Sequence, residues 1–319
     1  MRILITGAAG LYGVHLVDEL VKMEAISRVI GVDNFSRQYC EKNPFISSPE
    51  LKAKFELIQK DFVRLTPDEL EGLELDAVIH LAAYISIPES MERQEDYFWN
   101  NEYGTFKLIQ SLVKSKRWPL FIYASSPEVY GNPIYTPMDV NHPLLPRSIY
   151  AVTKLAAEKH CYAMYEWYRY PVVIIRNFNT FGENQDIGGN AGVVASFLVR
   201  AIKGEPLIIH NEGKQTRDFQ YVKDAVHAYC MVVMKGAELA GRVFNIGTGR
   251  QTSITDLAKM ILKITGSPSP ILFEKGRSAD LLSLEADYSD IHQSTGWMPG
   301  YTLEDGLRRT TDWYRRFMR

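Results

Sequence analysis

The sequence predicts an α/β fold, a doubly wound parallel sheet with helices on both faces and a smaller C-terminal lobe. Three observations carry this reading. Short β-branched apolar runs alternate with stretches of helical period through the first half of the chain. A glycine-spaced turn, TGAAGLYG, follows the first of these runs, and an acidic residue, Asp33, closes the second. Beyond Arg176 the texture shifts to a stretch rich in Gly, Asn and Asp, Gly182–Gly192, which reads as a loop leading into a second unit.

Taken in order, Arg2–Thr6, Arg28–Val32, Phe55–Gln59, Ala77–Leu81, Leu120–Ala124 and Val172–Arg176 are predicted strands. Their near-continuous apolar character suits strands buried on both faces. Helical period predicts Leu11–Met23, a long helix over Trp99–Lys116 and another over Tyr150–Tyr168. Later come helices at Val193–Lys203, Val222–Met234 and Ile254–Ile264, strands at Leu207–His210 and Arg242–Ile246, and a loop-rich end. The basic tail LRRTTDWYRRFMR reads as a solvated helix whose cations complement its own C-terminal dipole. Residues 1–178 are expected to form the first domain, with 220–247 returning to it. Residues 179–219 and 248–319 are expected to form the lobe. No internal repeat or low-complexity tract interrupts this pattern.

The chain has 319 residues, 46% hydrophobic and 23% charged, with a formal net charge of -2. That is the composition of a globular protein with a sizeable core, and it gives no footprint for nucleic acid or a membrane surface. No apolar run approaches the ~18 residues of a transmembrane helix. Cys40, Cys161 and Cys230 have neither zinc spacing nor the even number a disulfide framework needs, and the histidines show no metal spacing. A reducing cytoplasm is expected, and the start MRILIT shows no signal peptide.

In TGAAGLYG, Gly7, Gly10 and Gly13 stand between a strand and a helix. Glycines there permit a tight turn, close approach of backbone to a pyrophosphate, and close helix–strand packing, the Rossmann-like arrangement. Asp33 is placed to accept hydrogen bonds from an adenosine ribose and to repel a 2′-phosphate, which favours NAD over NADP. Asp61, in QKDF, is placed either to reach an adenine amino group or to cap a helix.

At the chemical end, Tyr150 and Lys154 in YAVTK lie one helical turn apart on one face. A lysine ammonium beside a phenol, together with a cationic nicotinamide, lowers the phenol's pKa. Tyr103 and Lys107 in YGTFK match the same pattern. Tyr150 is chosen because it opens its helix after the polar loop that follows the strand FIYASS, where strand ends place loops at a cleft. His80 in IHLAA reads as a packed strand-end residue.

Together TGAAGLYG, Asp33, HLAA, the serine strand end and YAVTK resemble the extended short-chain dehydrogenase/reductase family, in its nucleotide-sugar epimerase/dehydratase branch. The resemblance continues through NNEYGT, RNFNTFG, GEPL, QTRDFQYVKDA, FNIGTG and STGWMPGYTLEDGL, almost the whole chain. It implies NAD as cofactor, held around Gly7, Gly10, Leu11, Tyr12, Gly13, Asp33, Asn34, Asp61, Phe62, Leu81, Ala82, Ala83 and Asn101, with Tyr150 and Lys154 at its nicotinamide end. It implies Ser126, Tyr150 and Lys154 as catalytic residues and makes Glu128 a further catalytic candidate, with Ser86 and Ser125 beside the sugar. Asn179 resembles a diphosphate contact, and the Gly192–Val194 segment, with Val193 and Val194, a nucleotide contact. Arg217 and Arg277, with Asp280, match phosphate and ribose contacts, for which arginine's planar fork is suited. His210 stands where the family often places an aromatic residue beside the base.

The resemblance implies initial oxidation of the sugar at C4, after which the reactions diverge. In hexose 4,6-dehydratases an acid–base pair follows the hydroxyl residue; here those positions are Pro127 and Glu128. Proline has no proton to give. UDP-glucuronate decarboxylases resemble this stretch in carrying a glutamate at the position of Glu128. A 4-epimerase acting on a nucleotide sugar, with UDP the expected base, is ranked first, a decarboxylase second and a dehydratase third. A non-enzymatic NAD-binding sensor or scaffold is the contrasting class; it has no use for Ser126, Tyr150 and Lys154 together. The helices Trp99–Lys116 and Tyr150–Tyr168 are expected to pair with their copies in a four-helix homodimer interface.

Overall fold

The computed structural model describes residues 1–36, 48–187, 192–275 and 281–318. Its central sheet contains β1 (Arg2–Thr6), β2 (Arg28–Asp33), β3 (Phe55–Gln59), β4 (Ala77–His80), β5 (Leu120–Ser125), β6 (Val172–Asn177) and a last strand, Val243–Ile246. The order across the sheet is Val243–Ile246, β6, β5, β4, β1, β2, β3, with every pairing parallel. β4, β5 and β6 are buried along their whole length, as continuous apolar runs require when both faces are covered.

The chain runs outward from β1 to the edge at β3, then crosses back to β4 on the other side of β1. Neighbouring crossovers therefore leave in opposite directions at the carboxyl ends of β1 and β4, and a crevice opens there. Helix α1 (Leu11–Lys22) buries Leu16, Val17, Leu20 and Val21 in the largest apolar core. The helix Val222–Lys235 joins the same core, and the strand after it pairs with β6 at Val243↔Ile174 through Ile246↔Asn177.

The predicted helix Trp99–Lys116 differs in detail. Short helices at Ile87–Glu92 and Gln94–Tyr97 lead into a π-helical stretch, Phe98–Tyr103, before α-helix resumes at Gly104–Val113. A wider turn rotates the residues that follow it, and such turns recur at functional sites. The expected loop-rich end is also more ordered, with helices at Ser289–Thr295 and Leu303–Phe317. The tail helix is solvated on one face only. Leu307, Thr310, Thr311 and Tyr314 are buried in the lobe, while Arg308, Arg309, Arg315 and Arg316 stay exposed.

Two buried aspartates fasten the lobe. Asp218 accepts hydrogen bonds from the backbone N–H groups of Thr248, Gly249 and Ala286, and from the Thr248 hydroxyl. Asp224 receives the N–H groups of Gly300 and Tyr301. Cys161 and Cys230 are buried free thiols in helices, and Cys40 lies outside the described residues. Among the described residues no helix is long and apolar enough to cross a membrane, and no cluster of side chains is arranged to hold a metal ion.

Candidate active site

A cleft of about 400 Å³ lies at the carboxyl ends of β1, β2, β4 and β5. Its first wall is backbone. Gly7 adopts φ +73°, and a Cβ there would stand 2.8 Å from the Ala82 nitrogen; one on Gly13 would stand 2.4 Å from the carbonyl oxygens of Gly7 and Ala8. α1 begins after Gly10 with no side-chain cap, so its first N–H groups are left for an anion. Asp33 is 4% exposed; its carboxylate accepts the Ala9 N–H at 2.9 Å and the Phe35 N–H at 2.8 Å while lining the cleft.

Leu11, Tyr12, Asn34, Phe62, Leu81, Ala82 and Ala83 complete this end of the lining. Behind it, His80 meets the Thr6 hydroxyl at 2.6 Å and the Thr105 hydroxyl at 2.9 Å. Burial, and then Lys154, hold its imidazolium pKa down to about 3. His80 is thus a neutral packed residue, as expected. Asp61 takes the capping alternative: it accepts the Val63 N–H at 3.1 Å at the head of a short 3-10 turn and lies outside the lining.

Three other candidates are committed elsewhere. The Asn101 amide is spent on the backbone of Tyr84, accepting its N–H and donating to its carbonyl, each at 2.8 Å. The π-helical stretch turns Asn100, not Asn101, into the cleft. Ser86 caps the helix Ile87–Glu92 by accepting the Glu89 N–H. Tyr103, in the alternative YxxxK pair, packs its ring against Trp99 and does not line the cleft.

The second wall is made of side chains from β5, from the turn Pro127–Tyr130 and from the long helix Ile149–Tyr168. Ser148 caps that helix, and Tyr150 and Lys154 then face the cleft, 9% and 4% exposed. The Tyr150 phenol is pushed up to about 12 by burial; its hydrogen bond with Ser126 lowers it, and the Glu128 charge raises it. Burial pulls the Lys154 ammonium down to about 7. Its Nζ sits 4.5 Å over the ring of Tyr123. The Ser126 hydroxyl also accepts the Glu128 N–H at 3.3 Å, capping the turn that carries Glu128. Ser125 lines the same wall, and its hydroxyl donates to Glu158 at 2.9 Å.

Asn179 lines the cleft with its Oδ1 buried and without a hydrogen-bond partner among the described residues, the one such acceptor in the lining outside the segment Gln185–Gly192. Gly192 reaches the lining, whereas Val194 is in the apolar core and Val193 packs against it. His210 is exposed at the end of its strand, and Arg217 donates to the carbonyls of Thr216 and Leu281, both outside the lining. Arg277 and Asp280 lie outside the described residues. Lining residues that sequence reasoning missed include Lys60, Tyr84, Asn100, Thr180, Gln185 and Asp186. Asn100 and Thr180 adjoin the singled-out Asn101 and Asn179, so the signal was one residue away.

Residues 3–247 match the NAD dependent epimerase/dehydratase family. The chain belongs to that family. It is 32% identical to UDP-glucose 4-epimerase of Mycolicibacterium smegmatis over 319 residues, covering 99% of both chains. It is 33% identical to UDP-glucuronic acid decarboxylase 1 of Xenopus tropicalis over 320 residues, 99% of this chain and 72% of that one. The crystal structure of UDP-glucuronic acid 4-epimerase from Bacillus cereus, in complex with UDP-glucuronic acid and NAD, superposes with a TM-score of 0.91 at 30% identity, covering 99% of each chain. This family member is therefore an enzyme with NAD as its cofactor and a Rossmann-like sheet carrying a C-terminal lobe. The first wall fits that dinucleotide: a tight glycine turn in which a Cβ on Gly7 or Gly13 would clash with backbone, an uncapped helix start and a buried carboxylate at the far side.

Proposed function

We propose that the chain is a 4-epimerase of UDP-sugars, acting through transient oxidation at C4. The observation that carries this reading is the hydrogen-bonded pair of Ser126 and Tyr150 in the cleft, next to Pro127, which has no proton to give. An epimerase asks for one reversible proton transfer at one sugar oxygen, and this pair supplies it.

The backbone at Gly7, Gly10 and Gly13 and the start of α1 would hold the pyrophosphate of NAD, Asp33 the adenosine ribose, and Lys154 the nicotinamide ribose. When bound, NAD supplies a hydride acceptor and a positive ring that favours the phenolate. Tyr150 takes the proton of the C4 hydroxyl, and Ser126 holds that oxygen in line. Because burial opposes the phenolate, any positive charge beside the ring lowers the cost of its formation. Asn179 offers its unfilled acceptor to the substrate's polar groups. Arg217, Arg277, Asp280 and His210 are proposed to meet the nucleotide from the lobe.

A second reading has one observation in its favour. The Glu128 charge acts on Tyr150, so this carboxylate stands close to the reacting centre, where a decarboxylase or dehydratase would employ a base. We propose a homodimer as well: Trp99, Val152, Tyr162 and Trp167 are exposed on the two helical segments expected to pair, Trp167 to 82%. A dilution-independent monomer in sedimentation would contradict it. A reducing compartment such as the cytoplasm suits the two buried thiols.

The test is absorbance in the reduced-nicotinamide band when UDP-glucose, UDP-glucuronate or UDP-N-acetylglucosamine is added to NAD-loaded protein. Transient reduction by at least one sugar, abolished in Tyr150→Phe, is expected. A flat trace with every sugar, and no difference between Tyr150→Phe and the parent protein, would overturn the enzymatic reading.

A further inference from the structure

A buried ion pair that takes no part in the proposed proton transfer lies directly behind the second wall. Glu158 stands one helical turn beyond Lys154 on the helix Ile149–Tyr168, and Arg176 stands on β6, with side chains 1% and 2% exposed. One Glu158 oxygen accepts from Arg176 Nε at 3.1 Å and from the Ser125 hydroxyl at 2.9 Å; the other accepts from Arg176 Nη2. The remaining Arg176 nitrogen, Nη1, donates to the Tyr130 phenol at 2.8 Å and to the Val140 carbonyl at 3.1 Å. The guanidinium also lies over the Tyr130 ring, 4.8 Å from its centroid. The Tyr130 hydroxyl donates onward to Asn245 at 2.7 Å, and Asn245 holds the Met138 carbonyl at 2.9 Å.

This places a clamp on both ends of one turn. Ser125 precedes Ser126 and is tied to Glu158. Tyr130 closes the turn Pro127–Tyr130 and is tied to Arg176. Ser126 and Glu128 lie between the two ties, and Glu158 belongs to the helix that carries Tyr150 and Lys154. A buried ion pair is a weak source of stability, since desolvation offsets most of the attraction. Its bidentate geometry does fix the relative placement of the elements it joins.

We infer that Glu158 and Arg176 are a positioning pair, which sets the Ser126 hydroxyl and the Glu128 carboxylate against the Tyr150 phenol by clamping the turn at Ser125 and Tyr130. The inference rests on the proton-transfer reading of Ser126 and Tyr150 and adds to it residues that touch neither substrate nor cofactor. Small displacements of reacting groups reduce turnover steeply, by about a hundredfold for 1 Å.

The experiment compares the full-length parent protein with Glu158→Gln/Arg176→Met, which removes both charges together and leaves neither buried alone. Melting temperature, NAD content, the Kd for the UDP-sugar that reduces bound NAD, and kcat are measured on each. The expected result is a folded, NAD-loaded protein with Kd within about threefold of the parent and kcat lower by about tenfold to a hundredfold. If the double variant does not fold, Tyr130→Phe takes its place, with kcat expected to fall about fivefold at unchanged KM. A kcat per NAD-loaded site equal to the parent's, in whichever variant folds, would overturn the inference and leave the pair a packing feature. Tyr150→Phe run alongside separates the two failures. If it alone is inactive, only the clamp is wrong; if it keeps full activity, the reaction itself has been misread.

Discussion

The two ends of the cleft are built by opposite means. The end formed by Gly7, Gly10 and Gly13 works through the absence of side chains, and its contacts are backbone groups at a strand-to-helix turn. The end formed by Ser126, Glu128, Tyr150 and Lys154 works through side chains: burial, Ser126 and Glu128 set the Tyr150 phenol, and burial above all sets the Lys154 ammonium. A site made of backbone fails by steric clash, whereas a site made of side chains fails by lost chemistry with the fold intact. The same cleft should therefore show two distinct kinds of mutant.

The sharpest contrast comes from Gly13. A methyl group there meets two carbonyl oxygens at 2.4 Å, so Gly13→Ala must move main chain. We expect a loss of about 3 kcal/mol of stability and release of NAD on gel filtration. Tyr150→Phe should do the reverse: full NAD content and melting temperature, with kcat reduced by about a thousandfold. If Tyr150→Phe lost NAD as Gly13→Ala does, the two ends would not be separable in this way.

Asp33 joins the two modes, since its side chain braces the Ala9 N–H and also lines the cleft. Asp33→Asn is expected to raise the NADP-to-NAD affinity ratio about tenfold, roughly 1.4 kcal/mol, measured by calorimetry. Glu128→Gln is a smaller and more discriminating test. For an epimerase it should change kcat by less than about tenfold, whereas a loss of about a hundredfold or more would favour the decarboxylase or dehydratase reading.

The smallest effect concerns stability without cofactor. The Lys154 pKa is lowered from 10.5 to about 7 in the folded protein, so between those values the unfolded chain binds one more proton than the native state. Stability from this group therefore rises with pH from about 7 to 10.5, and its penalty is fully present below about 7. Lys154→Met should raise the melting temperature of the cofactor-free protein by a few degrees at pH 6 and by less at pH 9. An equal shift at both pH values would contradict the burial of a neutral lysine.

The sequence revealed most where local chemistry and tertiary role coincide. Strands β1 to β6 were readable to within a residue, because apolar runs bounded by turn residues have few other uses in a parallel sheet. The glycine turn was readable because only glycine fits there. Asp61 and Ser86 were not, since the same side chains that bind a ligand also cap a helix, and both cap. That Asn100 rather than Asn101 lines the cleft was not readable either, because nothing in NNEY announces a π-helical turn, which depends on how Phe98–Tyr103 packs. The clamp of Glu158 and Arg176 was invisible for a different reason. Its partners are separated by 18 residues and meet only once β6 lies beside β5.

Product analysis tests the central proposal most directly. The protein is incubated with UDP-glucose, UDP-glucuronate and UDP-N-acetylglucosamine, and each product is followed by mass and by the proton coupling at C4. A product of unchanged mass with inverted C4 configuration is predicted for at least one sugar. Loss of carbon dioxide or of water, or no conversion of any of them, would contradict the assignment as a UDP-sugar 4-epimerase.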